Sequence, residues 1–277
     1  MNKNEAFALF EDFIKHAQEE LLSFTLNAPL NIDKKADKSL VTECDKAIDI
    51  KLTKLSLERG LKIVSEEGEH VKDIVQSGNY ITIDPIDGTL GYIDYVNNAV
   101  ESGDISNFLK SDLGPEHDFS LLLGIVEDSQ PRFAACFNYV TKEKIFIDAL
   151  DKNNLIRENN IRNYTQKYAA YLDQRFLNDP ITTQILSLPE VTPIKQAALG
   201  LKSLYTVLNP HESAVTVHRV QTAGLWDVLP AATAAKAFGG NVYDDKGDLL
   251  ILNDYIILPG NGASVIKGEK FQFVVEE

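Results

Sequence analysis

Apolar positions over the first 22 residues recur every three or four, with Phe10, Phe13, Ile14, Ala17 and Leu21 on one face. That period predicts an amphipathic helix, and the charges scattered through it do not suit a secretory signal. A polar, charged stretch from Asp33 leads into a second helical pattern carried by Ala47, Ile48, Leu52 and Leu55. Thr42 and Asp45 are both natural caps for its start. The period then shortens. Residues 61–65 predict a short strand ending at Glu66-Glu67, and Tyr80-Ile81-Thr82-Ile83 predicts a buried one, broken by Pro85 and Gly88. Residues 118–126, 132–139 and 144–147 predict consecutive strands of an antiparallel meander. The connection at 92–117 is polar, with Asn97-Asn98, Ser102-Gly103 and Gly114-Pro115. It predicts a lid, or an insertion with a short helix near residues 105–109.

An Asn-rich, charged stretch at 151–162 marks a boundary, so the chain divides into halves at 1–150 and 151–277. The second half predicts strands at 168–172 and 194–198, a helix opened by Asn178-Asp179-Pro180, and a helix over 200–208. An alanine-rich helix from 225 to 238 stops at Gly239-Gly240 and is followed by a strand at 241–243.

Composition narrows the function classes. Hydrophobic residues are 44% and charged residues 25%, as in a globular protein with a sizeable core. A formal net charge of −14 argues against a nucleic-acid polymer or an anionic membrane as partner. It leaves room for a small phosphorylated metabolite, because bound divalent ions reverse the local potential. No window is long and uncharged enough for a membrane span. The two cysteines, Cys44 and Cys136, lack any motif, and a reducing cytoplasm is the expected location.

The chemistry gathers on acids placed where elements begin or end. Asp84 and Asp87 close a strand within Asp84-Pro85-Ile86-Asp87-Gly88-Thr89, where two carboxylates would repel each other without a cation between them. Their hard oxygens suit Mg²⁺, Ca²⁺ or Mn²⁺. Gly88 and Thr89 offer backbone N–H groups to a phosphate oxygen. Each acid also has a plainer local reading. The hexapeptide can be an Asp-Gly turn, Asp45 a helix cap, and Asp227 a first-turn acid facing the helix dipole.

Taken together, Ser65-Glu66-Glu67, the hexapeptide at 84–89, and Trp226-Asp227 with Ala231-Ala232 and Gly239-Gly240 resemble the inositol monophosphatase superfamily of Mg²⁺-dependent, lithium-sensitive phosphatases. Val41-Thr42-Glu43-Cys44-Asp45 supplies a further block in the same order. The resemblance implies an α/β (α+β) fold, a layered αβαβα sandwich of the inositol monophosphatase and fructose-1,6-bisphosphatase type. It implies one Mg²⁺ at Glu66, Asp84 and the Ile86 carbonyl, and a second among Asp84, Asp87 and Asp227. A loosely held third is expected at Glu66. Mn²⁺ is an expected substitute, and Li⁺ and Ca²⁺ are expected inhibitors. By similarity, Thr89 and Asp45 orient and deprotonate the attacking water, Glu67 supports the site, and Gly88 and Thr89 bind the phosphate. The alternative of another class is a metal-dependent binding or regulatory protein without turnover.

For the ester, the segment from Lys35 to Thr42 is most similar to bacterial 3′(2′),5′-bisphosphate nucleotidases and histidinol-phosphate phosphatases. Val220 stands where many inositol monophosphatases carry a Glu. Arg219 and Lys202 match substrate-contacting positions of the nucleotidases. Adenosine 3′,5′-bisphosphate is therefore the first expectation, ahead of inositol 1-phosphate, histidinol phosphate and sugar bisphosphates. The resemblance allows a monomer or a homodimer.

Overall fold

The protein is represented by a computed structural model. It describes residues 1–27, 31–34, 40–68, 72–102, 113–151, 153, 155–159, 168–172, 183, 186–187, 191–208, 213–217, 224–244, 256–257, 264–265 and 271–274. The opening helix α1 (Lys3–Asn27) runs further than its apolar period predicts, and the five residues of its predicted face are all buried. Strands β1 (Ile32–Lys34) and β2 (Leu40–Thr42) pair antiparallel and lead into α2 (Glu43–Glu58). Then come β3 (Ile63–Ser65), α3 (Lys72–Gln76), β4 (Tyr80–Asp87) and α4 (Thr89–Ser102).

The predicted meander is β5 (Ser120–Glu127), β6 (Gln130–Asn138) and β7 (Lys144–Asp148), extended by β8 (Ile156–Glu158). These strands form a mixed sheet in the order β3-β4-β5-β6-β7-β8, with only β3 and β4 parallel. Side chains alternate across it with period two. Leu121, Leu123, Phe133 and Phe137 pack with Phe10, Phe13 and Ile48 of α1 and α2. Leu122, Ala134 and Cys136 face the other way, onto α5 (Leu199–Leu208) and α6 (Leu225–Ala237). Each large side chain buried this way is worth roughly 1.5–3 kcal/mol.

Beyond α5 lies a three-stranded parallel sheet of β9 (Tyr168–Leu172), β10 (Val191–Lys195) and β11 (Ser213–Val217), whose Tyr171 and Ile194 join the same cluster. Helix, sheet, helix and sheet thus stack in layers, as the sandwich reading expects. Short strands β12 (Asn241–Asp244), β13 (Ile256–Ile257), β14 (Ser264–Val265) and β15 (Phe271–Val274) complete the described elements, pairing β12 with β15 and β13 with β14. The helix predicted from Asn178 and the predicted helix near 105–109 lie outside the described residues.

The polar connection at 92–117 is corrected in its first part, which continues α4 to Ser102. Tyr92, Tyr95, Val96 and Ala99 are buried at helical spacing, a stripe that the polar Asn97-Asn98 pair obscures in sequence.

Candidate active site

In a regular strand, residues three apart point to opposite faces. Asp84 and Asp87 avoid that through a register shift. Asp84 pairs with Leu122 and Asp87 with Ser120, so three steps on β4 span two on β5. The extra residue is a bulge around Pro85 and Ile86, and it returns both acids to one side. Pro85 lends no N–H to the ladder, and its carbonyl accepts the Tyr139 hydroxyl at 3.1 Å.

Asp227 reaches the same point from the first turn of α6, where the Gly224 N–H donates to its Oδ2 at 2.5 Å. Carboxylate oxygens of Asp84, Asp87 and Asp227 lie within 4.8 Å of one another, and all three residues are buried. Burial, then repulsion from Glu66, Asp87 and Asp227, pushes the Asp84 carboxyl well above its usual range. Glu66, just past β3 and half-buried, also shares a hydrogen bond with Asp84. Such a cluster of hard oxygens on acids of one sign fits a divalent cation of the Mg²⁺ type.

Asp87 is also pushed up, to about 6, mainly by burial. Backbone N–H groups of Leu201, Gly200 and Leu199 oppose that shift, the Leu201 N–H reaching its Oδ2 at 2.7 Å. The N-terminus of α5 therefore points at this carboxylate, a favourable place for negative charge. Gly200 lets α5 approach, because a Cβ there would lie 2.2 Å from Leu122 and 2.9 Å from the Asp227 carbonyl oxygen. The Lys202 ammonium is fully buried, donates to the Gln196 carbonyl at 3.2 Å, and favours the charged form of Asp87.

The two readings of Asp45 turn out to be compatible. Thr42 caps α2 in a reciprocal box: its N–H donates to Asp45 Oδ2 at 2.8 Å, and its hydroxyl contacts the same oxygen. The other oxygen, Oδ1, accepts the Thr89 hydroxyl at 3.2 Å. That hydroxyl is also 3.3 Å from the Ile86 carbonyl, while the Ile86 N–H donates to Asp84 Oδ1 at 3.1 Å. Thr89 thus bridges the capped helix and the carboxylate turn. Gly88 takes φ +90, which favours glycine, and a Cβ there would meet Ala198 at 2.9 Å. It leads into α4, whose first N–H groups have no partners within the helix.

Sequence reasoning did not single out Asp49, which is buried one turn after Asp45 on α2 and accepts the Ser65 hydroxyl beside Glu66. The signal was its i+4 spacing from Asp45. Ser120, whose hydroxyl is 3.4 Å from Asp87 Oδ2, was likewise missed. Glu67 lines a groove of about 570 Å³ with Asp49, Ile63 and Ser65. Arg219 lies outside the described residues. No described helix is long and apolar enough to cross a membrane.

An inositol monophosphatase from Thermotoga maritima superposes with a TM-score of 0.58 at 17% identity, covering 91% of this chain and 89% of that one. A staphylococcal inositol monophosphatase solved with its products gives 0.65 at 14% identity, with 98% and 90% covered. An inositol monophosphatase/NADP phosphatase solved with Mg²⁺ and phosphate gives 0.64 at 14%, with 97% and 89% covered. These likenesses establish the fold. No curated protein sequence matches the chain. The match that carries identity is to the inositol monophosphatase family, over residues 6–269. With that match and the acids gathered at the end of β4, the chain belongs to the inositol monophosphatase family and is a Mg²⁺-dependent phosphatase.

Proposed function

We propose that this phosphatase hydrolyses the 3′-phosphate of adenosine 3′,5′-bisphosphate, as a 3′(2′),5′-bisphosphate nucleotidase. The convergence of Asp84, Asp87 and Asp227 beside the Asp45–Thr89 pair is the observation that carries the reaction. Glu66, Asp84 and the Ile86 carbonyl would hold one Mg²⁺, and Asp84, Asp87 and Asp227 a second. A third, weaker ion would sit at Glu66. Bound there, Mg²⁺ supplies charge neutralisation for the phosphate dianion and lowers the pKa of water. Mn²⁺ substitutes, and Li⁺ and Ca²⁺ inhibit.

The chain's own residues supply positioning and the proton path. The Thr89 hydroxyl, donating to Asp45 Oδ1, presents a lone pair to the attacking water and accepts its proton as its own proton passes to the Asp45 carboxylate, which is thereby neutralised. The Asp45 orientation is set in advance, because Oδ2 is committed to the Thr42 cap. N–H groups of Gly88 and Thr89 cradle the phosphate. Glu67, lining the neighbouring groove, supports the site from outside the cluster. Residues 1–150 bring most of this machinery, and 151–277 bring Asp227 and the loops that select substrate.

The nucleotide reading draws support from the sequence position of Arg219, and from solved neighbours with bound NADP and 2′-AMP. The buried Lys202 does not reach substrate, contrary to expectation. In this scheme Lys202 acts from below, holding Gln196 and Asp87. Inositol 1-phosphate is the second reading, favoured by the family match and by a neighbour solved with D-inositol-1-phosphate. The deciding experiment is phosphate release from adenosine 3′,5′-bisphosphate, inositol 1-phosphate, NADP, histidinol phosphate and fructose 1,6-bisphosphate, with and without Mg²⁺ and Li⁺. The nucleotide should give the highest kcat/KM. A preference for inositol 1-phosphate would replace the substrate assignment. Mg²⁺ binding without turnover of any ester would instead favour a binding protein. Sedimentation in the same buffer distinguishes monomer from homodimer, and fractionation tests the cytoplasmic location.

A further inference from the structure

The carboxylate of Glu143 lies in the turn between β6 and β7, only 1% exposed, and is built into a hydrogen-bonded frame. One of its oxygens accepts the Arg157 guanidinium of β8. The other accepts the Tyr205 hydroxyl of α5 at 2.5 Å. The Arg157 guanidinium also lies 5.5 Å from the centre of the Tyr205 ring. Burial, then the Glu143 charge, pushes the Tyr205 phenol well above its usual range, so it stays a donor.

Tyr205 is one helical turn beyond Leu201, whose N–H holds Asp87. A second arm leads to the same carboxylate. Tyr205 also bonds the Asn138 side chain, which donates to Asp118 at 3.1 Å. Two residues on, the Ser120 hydroxyl faces Asp87. Both routes from Glu143 therefore end on one Asp87 oxygen, Oδ2.

We propose that Glu143 and Tyr205 are positioning residues for the metal site, holding the N-terminus of α5 in the place that sets the Asp87 carboxylate. The proposal rests on the metal-site reading above. A frame held by packing alone would not need a buried carboxylate shared between a guanidinium and a phenol. Apolar residues of similar volume would fill that space at no loss of stability. Here the acid fixes direction as well as separation, because each oxygen has a single assigned donor.

Tyr205→Phe removes one hydroxyl and keeps the ring packed, so it is the primary test. Isothermal titration calorimetry of the metal-free protein with Mg²⁺ should show affinity weakened about three- to tenfold, somewhat less than loss of a group bonded directly to a ligand. The Mg²⁺ concentration for half-maximal activity should rise by the same factor, with the KM for ester at saturating Mg²⁺ unchanged. Glu143→Gln should shift Mg²⁺ affinity in the same direction. Phe7→Leu, in the packing against Phe133 and Phe146 on the opposite face of the sheet from Tyr205, lowers Tm and should leave Mg²⁺ affinity alone. Mg²⁺ affinity within twofold of wild type in Tyr205→Phe, or an equal loss in Phe7→Leu, would overturn the inference. Wild-type protein that binds no Mg²⁺ would overturn the metal reading along with it.

Discussion

Asp84 near the end of β4 and Glu143 before β7 are both buried acids, yet the fold leaves them in opposite electrostatic states. Glu143 meets a guanidinium and a phenol within the protein. Asp84 meets Glu66, Asp87 and Asp227, all of its own sign. An acid paired internally belongs to the scaffold. An acid surrounded by its own kind stores unfavourable energy until something positive arrives from outside. The metal-free fold thus carries a cost at one site that it avoids at the other, and the costly site is the one where chemistry is done.

Exchanging acid for amide tests that contrast most directly. Asp84→Asn should lower activity by on the order of a thousandfold, the scale for removing a group that handles transition-state charge. The same change should raise the Tm of the metal-free protein, because it relieves repulsion. A metal-free Tm below wild type would break the comparison. Asp45→Asn should lower kcat on the order of a hundredfold with Mg²⁺ affinity preserved, as expected when only the proton path is lost. A parallel loss of Mg²⁺ binding in calorimetry would return Asp45 to a structural role.

The pH dependence of the metal-free protein has a definite sign. Asp87 is raised to about 6, above its unfolded value near 4, so the folded state holds the extra proton in that interval. Stability should therefore increase as pH falls from above 6 toward 4, and Asp84, whose carboxyl is also raised, should add to the trend. Saturating Mg²⁺ should reverse the slope, because protons then compete with the ion. Thermal melts across pH, with and without Mg²⁺, check both signs, and parallel slopes would refute the account.

Glu143→Gln sharpens the other half of the comparison. It should cost about 1–3 kcal/mol, read by denaturant unfolding, since it weakens charged hydrogen bonds at a buried site. Thr42→Ala should have the smallest effect, about 1 kcal/mol for the lost cap. It should also loosen Asp45, so a small fall in kcat is expected beside the stability loss.

How far this was readable from sequence differs by element. The face of α1 and the meander of β5 to β7 followed from periodicity, because amphipathic burial forces residues of like polarity onto one side, whereas α6 followed from its alanines and its Gly239-Gly240 stop. The helix α4 was hidden behind Asn97-Asn98, since exposed polar positions in a helix look like a loop when its buried stripe is narrow. The acids Asp45, Glu66, Asp84, Asp87 and Asp227 were recognisable as a set only through the resemblance, because each has an ordinary local role that the structure also shows in part. Asp45 does cap a helix, and Asp227 does sit in a first turn.

What the sequence determined alone was the identity of the donors and their attachment to element ends. Pro85 and Gly88 stand beside the acids however the chain folds, and carboxylates spaced by three are a property of the covalent order. The strand itself runs on through Pro85 to Asp87 and does not break there, contrary to what its sequence predicts. What only the tertiary structure decided was their convergence. The bulge that turns Asp84 and Asp87 to one side exists only in register with Leu122 and Ser120. The helix end that holds Asp87 arrives from more than a hundred residues away, brought there by packing on the far face of the sheet. Periodicity reports which side of an element is buried. It carries no information on which other element does the burying, and that pairing is what assembles this site.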